Sequence, residues 1–197
     1  MTTNQLTPEE FAQSFLKLFT TSVKEEGAEV GIHWSRPEET GKSDEHERDT
    51  EWTAIMAIFL SRLARRNKCY QKWELRAGKK RIDYGWYGED DPRSLIAIIE
   101  HENNVVKAKE EELPKLINYK CGLKVLITYE WTINKPETIR GDVEPVLKQN
   151  AGMKGEFLLV VGTKKLETQE PEMPEGAWQF YRWNNQVMED ITDELDH

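Results

Sequence analysis

The chain has 197 residues, 38% hydrophobic and 32% charged, with a formal net charge of −9. That length is enough for one domain with its own core. No apolar run approaches the roughly 20 residues that cross a bilayer, and the start, MTTNQLTPEEFAQ, lacks the basic-then-apolar order of a secretory signal. Two widely spaced cysteines, Cys69 and Cys121, carry no metal-ligand spacing. They point away from a zinc site and toward a reduced, cytoplasmic setting.

In chain order, LTPEEFAQSFLKLFTTSVKEEG reads as a first helix. Thr7 and Glu10 form a capping box, Pro8 suits the first turn, Phe11, Phe15, Leu18 and Phe19 form a buried stripe, and Gly27 ends it. The polar SRPEETGKSDEHERD follows as a loop. A second helix is expected from Asp49 to Asn67, with Trp52, Ile55, Met56, Phe59, Leu60 and Leu63 inward and Glu51 on a flank that can face the sheet. Three strands come next, YQKWELRA, KRIDYGWYG and SLIAIIEHEN, joined by turns at Gly78 and at EDDPR. A helix over Val105 to Lys120 must bend or divide at Pro114. LKVLITYE is apolar throughout, as in a strand covered on both faces. A weak helix (ETIRGDVEPVLKQNAG) and two more strands (GEFLLVVGT, GAWQFYRWN) complete the order. That order predicts a mixed sheet with helices on both faces.

The charge is uneven. Nine acids between Glu167 and Asp196 face Arg182 alone, an acidic tail that reads as flexible. Its expected role is to keep the protein off nucleic acid or to cover a basic stretch. From Arg62 to Arg81 the sign reverses, with nine bases against Glu74. Arg62, Arg65, Arg66, Lys72, Lys79, Lys80 and Arg81 are the candidate phosphate-tracking residues.

The chemistry-bearing feature is LIAIIEHENN, an apolar strand that runs into Glu100 and Glu102. Alternation puts both carboxylates on one face, and acids that close repel unless a proton or cation lies between them. A hairpin centred between Asp91 and Pro92 sets Asp83 opposite Glu100, about 5 Å away. A first hairpin turning on Gly78 and Lys79 adds Glu74 opposite Asp83; one turning on Ala77 and Gly78 brings Lys72 there instead. His101 falls on the opposite face by alternation. Asn103 and Asn104 end the strand and cap the next helix. The seven tryptophans, and the aromatic set Trp178, Phe180, Tyr181 and Trp183, are able to stack on bases but read first as core packing or a partner interface.

A helix bearing Glu51, a meander bearing Asp83, then Glu100 and a polar residue two places on, then a helix and a strand, together resemble the PD-(D/E)XK nuclease superfamily over Asp49 to Val161. The resemblance implies a three-layer α/β fold, a mixed sheet flanked by helices in the restriction-endonuclease-like arrangement, here with an extra N-terminal helix. The chain then reads as one domain: helix and polar loop over 1–48, core over 49–184, acidic tail over 185–197.

It also implies a Mg2+ (or Mn2+) dependent phosphodiester hydrolase, a DNA endonuclease. Asp83 and Glu100 would hold the metal and Glu51 would support them. Two departures stand out. Ile82 precedes Asp83 where the motif has proline, and Glu102 occupies the lysine position, where it would bind a metal or accept a proton from water. Lys72, Lys107, Lys109 and Lys115 are the lysines available to replace the missing one, and the sequence does not choose among them. Nucleic acid is the expected partner, with a homodimer or a protein partner as further expectations and no membrane. The alternative is an inactive module on the same fold that binds a protein or nucleic acid.

Overall fold

A computed structural model describes residues 6–24, 45–77, 80–130, 136–163 and 178–195; the side chains of 22–24, 45–52, 77, 80 and 136 fall outside that description. The described elements are helices α1 (Pro8–Lys24) and α2 (Glu45–Arg66); strands β1 (Cys69–Ala77), β2 (Lys80–Gly88) and β3 (Leu95–His101); and α3 (Val105–Lys107), a π-helical turn (Ala108–Glu112) and α4 (Leu113–Asn118). Strand β4 (Leu123–Glu130), helix α5 (Pro136–Gln149), strands β5 (Glu156–Thr163), β6 (Trp178–Trp183) and β7 (Met188–Asp190), and a closing 3-10 turn follow. The strands form one mixed sheet in sequential order, β1 to β7. The meander β1–β2–β3 is antiparallel, β3, β4 and β5 are mutually parallel, and β6 and β7 return antiparallel.

Each face has its own core. Phe11 and Phe15 of α1, with Phe59, Leu60 and Leu63 of α2, pack on Trp86, Ile99 and Val125. On the other face Leu113 and Leu116 of α4, with Ile139, Val143 and Leu147 of α5, pack on Ile98, Leu126 and Leu159. The chain is therefore an α/β protein with helices on both sides of a mixed sheet. Strands β4 and β5 are mostly apolar on both sides because both faces are covered, and all eight residues of β4 are buried, Lys124, Thr128 and Glu130 among them. Among the described residues no helix is long and apolar enough to cross a membrane.

Local chemistry sets the ends. The capping box is formed, with Thr7 N–H donating to Glu10 (2.9 Å) and Glu10 N–H donating to Thr7 Oγ1 (3.2 Å). Asn104 Oδ1 accepts from the amides of Val106 and Lys107 and starts α3. Pro114 lacks an N–H, and the helix before it widens: the Leu113 amide reaches back five residues to the Ala108 carbonyl. Over its described residues, the segment read as an acidic tail is joined to the sheet instead. Strand β7 pairs with β6, and Met188, Ile191 and Leu195 are buried. Arg182, the one base in that acidic stretch, bonds both Glu9 of α1 and Glu189 of β7. This acidic edge lies six strands from β1, so over the described residues it does not cover the basic segment.

Candidate active site

The site forms where β2 and β3 part. Their register follows the expected hairpin from Trp86↔Ala97 through Tyr84↔Ile99, then slips at Tyr87. Beyond Tyr84 the backbone ladder stops and carboxylates replace it. The Asp83 amide donates to Glu100 Oε2 (3.3 Å), and the His101 amide donates to Asp83 Oδ2 (3.0 Å). Each acid thus caps a backbone donor left over by the splay.

Glu100 sits inside the sheet, beside Leu126 of β4, with no exposed surface. Its second oxygen, Oε1, is buried and makes no hydrogen bond. Lys115 Nζ of α4 lies 3.5 Å from it and also pairs with Glu112, which is itself buried. The π-helical turn produces this grouping. By adding a residue to the turn it resets the helix phase, so that Ala108, Glu112, Leu113 and Leu116 all turn inward with Lys115 beside them.

Two carboxyls therefore meet one ammonium, and Asp83 lies next to them across the strand gap. Burial, then the Asp83 and Glu112 carboxylates, push the Glu100 carboxyl up to about 10. Burial also raises Asp83, against the bonds it accepts from His101 and Glu100. For Lys115 burial acts downward, but Glu112, Glu100 and Asp83 outweigh it, and its ammonium is held more firmly than usual. Such a cluster is costly to bury and is a mark of a functional site as well as of a structural network.

The other expected residues are placed as follows. Glu102 lies past the end of β3, where alternation no longer fixes its direction, and its Oε1 accepts from the Asn104 amide (2.8 Å). Glu51 is on α2, whose described side chains pack on the opposite face of the sheet; its own side chain lies outside the described residues. The first hairpin takes the register that sets Glu74 opposite Asp83. Glu74 has a positive φ of 47°, however, and its carboxylate bonds Arg81 (3.0 Å) at the surface. A further acid against Asp83 is avoided at the expense of backbone strain.

Among the candidate lysines, Lys72 lies over the Tyr87 ring (4.4 Å) and Lys109 pairs with Asp142 (3.0 Å), while Lys107 is exposed. Lys115 alone of the four meets the acids. Glu112 was not anticipated from sequence; its signal was the Pro114 that forces the helix to change pitch. Of the basic candidates, Arg62 is half-buried, Arg65, Arg66 and Lys72 are exposed, Arg81 is paired with Glu74, and Lys79 and the Lys80 side chain lie outside the described residues. His101, on the far face, is buried with Nε2 2.8 Å from the Tyr129 hydroxyl; burial lowers its pKa to about 3, so it is a neutral core residue. Trp178, Phe180, Tyr181 and Trp183 are all buried.

Among the described residues no three His, Cys, Asp or Glu side chains converge as a ready-made cation cage. The donor chemistry of the pair does suit a hard cation: two carboxylates each spend one oxygen on a backbone amide, and the free Glu100 oxygen is buried and unbonded. No protein-family model matches the chain, and no curated protein matches it either.

Proposed function

We propose that this protein is a divalent-metal-dependent nuclease acting on DNA, on a restriction-endonuclease-like version of its α/β fold. The observation that carries the reading is the Asp83–Glu100 pair at the splayed strand ends, with Lys115 3.5 Å from Glu100. The run of helix, antiparallel meander, helix and parallel strand in one sheet supports it. So does the basic run from Arg62 to Arg81, whose last residues begin the strand that carries Asp83.

In this reading Asp83 and Glu100 are the carboxylates that hold Mg2+ or Mn2+. The ion, when bound, lowers the pKa of a water and stabilises the leaving oxygen. Asp83 enters with one oxygen anchored on His101 N–H, which fixes the direction of the other. Lys115 stays protonated at neutral pH and is therefore a poor proton acceptor; its role is to place positive charge against a phosphate oxygen. Glu102, just past the strand end, is the carboxylate left to take a proton from water.

Incubation of plasmid and single-stranded DNA with magnesium or manganese tests the reading. Cutting is expected from the wild type and a loss of about 10²–10³-fold from Asp83→Asn. Equal cutting by both would sink it. One observation favours an inactive binding module: Lys115 and two backbone amides already answer the acids' charge. That alternative predicts unchanged calorimetric baselines when magnesium or manganese is added.

A further inference from the structure

Trp73 stands on β1, the outer strand of the sheet, and is 58% exposed. The other large apolar side chains exposed to this degree among the described residues are the aliphatic Ile58, Val106 and Val187. The indole is nonetheless held in place. It packs edge-to-face on Tyr84, with centroids 5.3 Å apart and planes at 64°, and Tyr84 is buried. A contact of that kind uses at most one face of the indole, so a fixed flat surface remains open to water.

Its own strand carries an open cation. Arg76, three residues on, is exposed and forms no ion pair among the described residues, and the same holds for Arg65 and Arg66 where α2 leads into the start of β1. The one acid in the stretch, Glu74, is taken up by Arg81. Open aromatic faces among unpaired cations are what a single strand of nucleic acid requires, since its bases stack and its phosphates need countercharge. A peptide adding to the edge of β1 would need regular extended backbone there. Glu74, next to Trp73, has φ 47° and interrupts it. Trp73 pairs with Tyr84, the residue after Asp83, at the edge of the sheet; Tyr84 packs on the α1 and α2 face, whereas the acids meet Lys115 of α4 on the other.

On the footing of the nucleic-acid reading above, we propose that Trp73 is a stacking platform for an unpaired nucleobase, and that the substrate carries a single-stranded segment that lies on the β1 edge of the sheet. The test is fluorescence anisotropy with a labelled oligothymidine and a labelled duplex of equal length, in EDTA so that nothing is cut. Trp73→Ala is expected to lose about fivefold or more in affinity for the single strand. Its duplex affinity should be unchanged, and Trp73→Phe should recover most of the loss.

Equal single-strand binding by wild type and Trp73→Ala overturns the proposal, as does an equal loss on both probes or a Phe variant as poor as Ala. If the wild type binds neither probe, the nucleic-acid reading falls as well. If the wild type cuts DNA in magnesium while Trp73→Ala binds the single strand normally, only the platform falls.

Discussion

Two buried charges lie on the same face of the sheet, one step apart, and are handled in opposite ways. Lys124 of β4 sits beside Ile98, two residues before Glu100 on β3. Both side chains are fully buried. The Lys124 ammonium turns toward the start of the parallel strands and donates to the carbonyls of Cys121 (3.3 Å) and Lys154. Burial lowers its pKa, and carbonyl dipoles satisfy it without a counterion. Glu100 keeps an oxygen with no hydrogen bond, and its nearest cation arrives from a helix instead. A lysine already inside the sheet is thus left out of the acid cluster, and a π-helical turn brings in another. The first charge ties two loops together. The second is left short of satisfaction, with Lys115 as its nearest cation.

Exchanging the two lysines for methionine breaks or confirms this contrast most sharply. Lys115→Met is expected to lower metal-dependent cleavage per folded molecule by about 10²-fold or more, in addition to the stability lost when Glu112 and Glu100 are left without their cation. Lys124→Met should leave cleavage per folded molecule intact and destabilise the protein, because two buried carbonyls lose their donor at about 1–3 kcal/mol. A plasmid-nicking assay read beside thermal melts decides it. Reversed phenotypes would make Lys115 the structural tie.

A smaller effect is expected at Gly155. Its φ is +85°, and a Cβ there would stand 2.1 Å from the Cys121 carbonyl oxygen and 3.1 Å from Lys124 Nζ. Gly155→Ala should cost about 2 kcal/mol in urea unfolding through left-handed strain and displacement of the Lys124 bonds. Cleavage per folded molecule should not change. Loss of cleavage without loss of stability would mean that the two charge clusters are coupled.

The pattern of the sequence carried much of this. Apolar periodicity located the strands and helices, because strands covered on both faces, such as LKVLITYE, have few other readings. The hairpin arithmetic set Asp83 against Glu100 because a connection centred between Asp91 and Pro92 gives the register that the ladder keeps from Trp86↔Ala97 to Tyr84↔Ile99. What it did not carry is instructive. Lys115 and Glu112 reach the acids only because the helix changes pitch before Pro114, and an ideal 3.6-residue repeat does not show that shift. The acidic segment was read by its charge count, which hides Met188, Ile191 and Leu195, each buried between exposed acids. Trp73 was passed over because one tryptophan in a strand reads as core, and only the solved edge position exposes it.

The smallest effect is one of slope rather than size. Glu100 binds its proton more tightly folded than unfolded, so its ionisation opposes folding as pH rises from its ordinary 4.5 toward 10. Asp83, also raised, acts with the same sign. The raised Lys115 contributes stability that is lost only above its ordinary 10.5, so it leaves this window alone. His101, lowered to about 3, acts oppositely: the unfolded chain takes up a proton that the folded one refuses, and stability falls as pH drops below 6.5. Two adjacent residues thus bound a stability optimum from either side. Glu100→Gln keeps an acceptor for the Asp83 amide and removes the largest contributor to the alkaline limb. Its melting temperature relative to wild type should therefore climb steadily from pH 5 to pH 9, with Asp83 leaving a residual slope. Parallel curves would mean that Glu100 is already ionised in the folded protein at pH 5, and the contrast with the quenched charge of Lys124 would disappear.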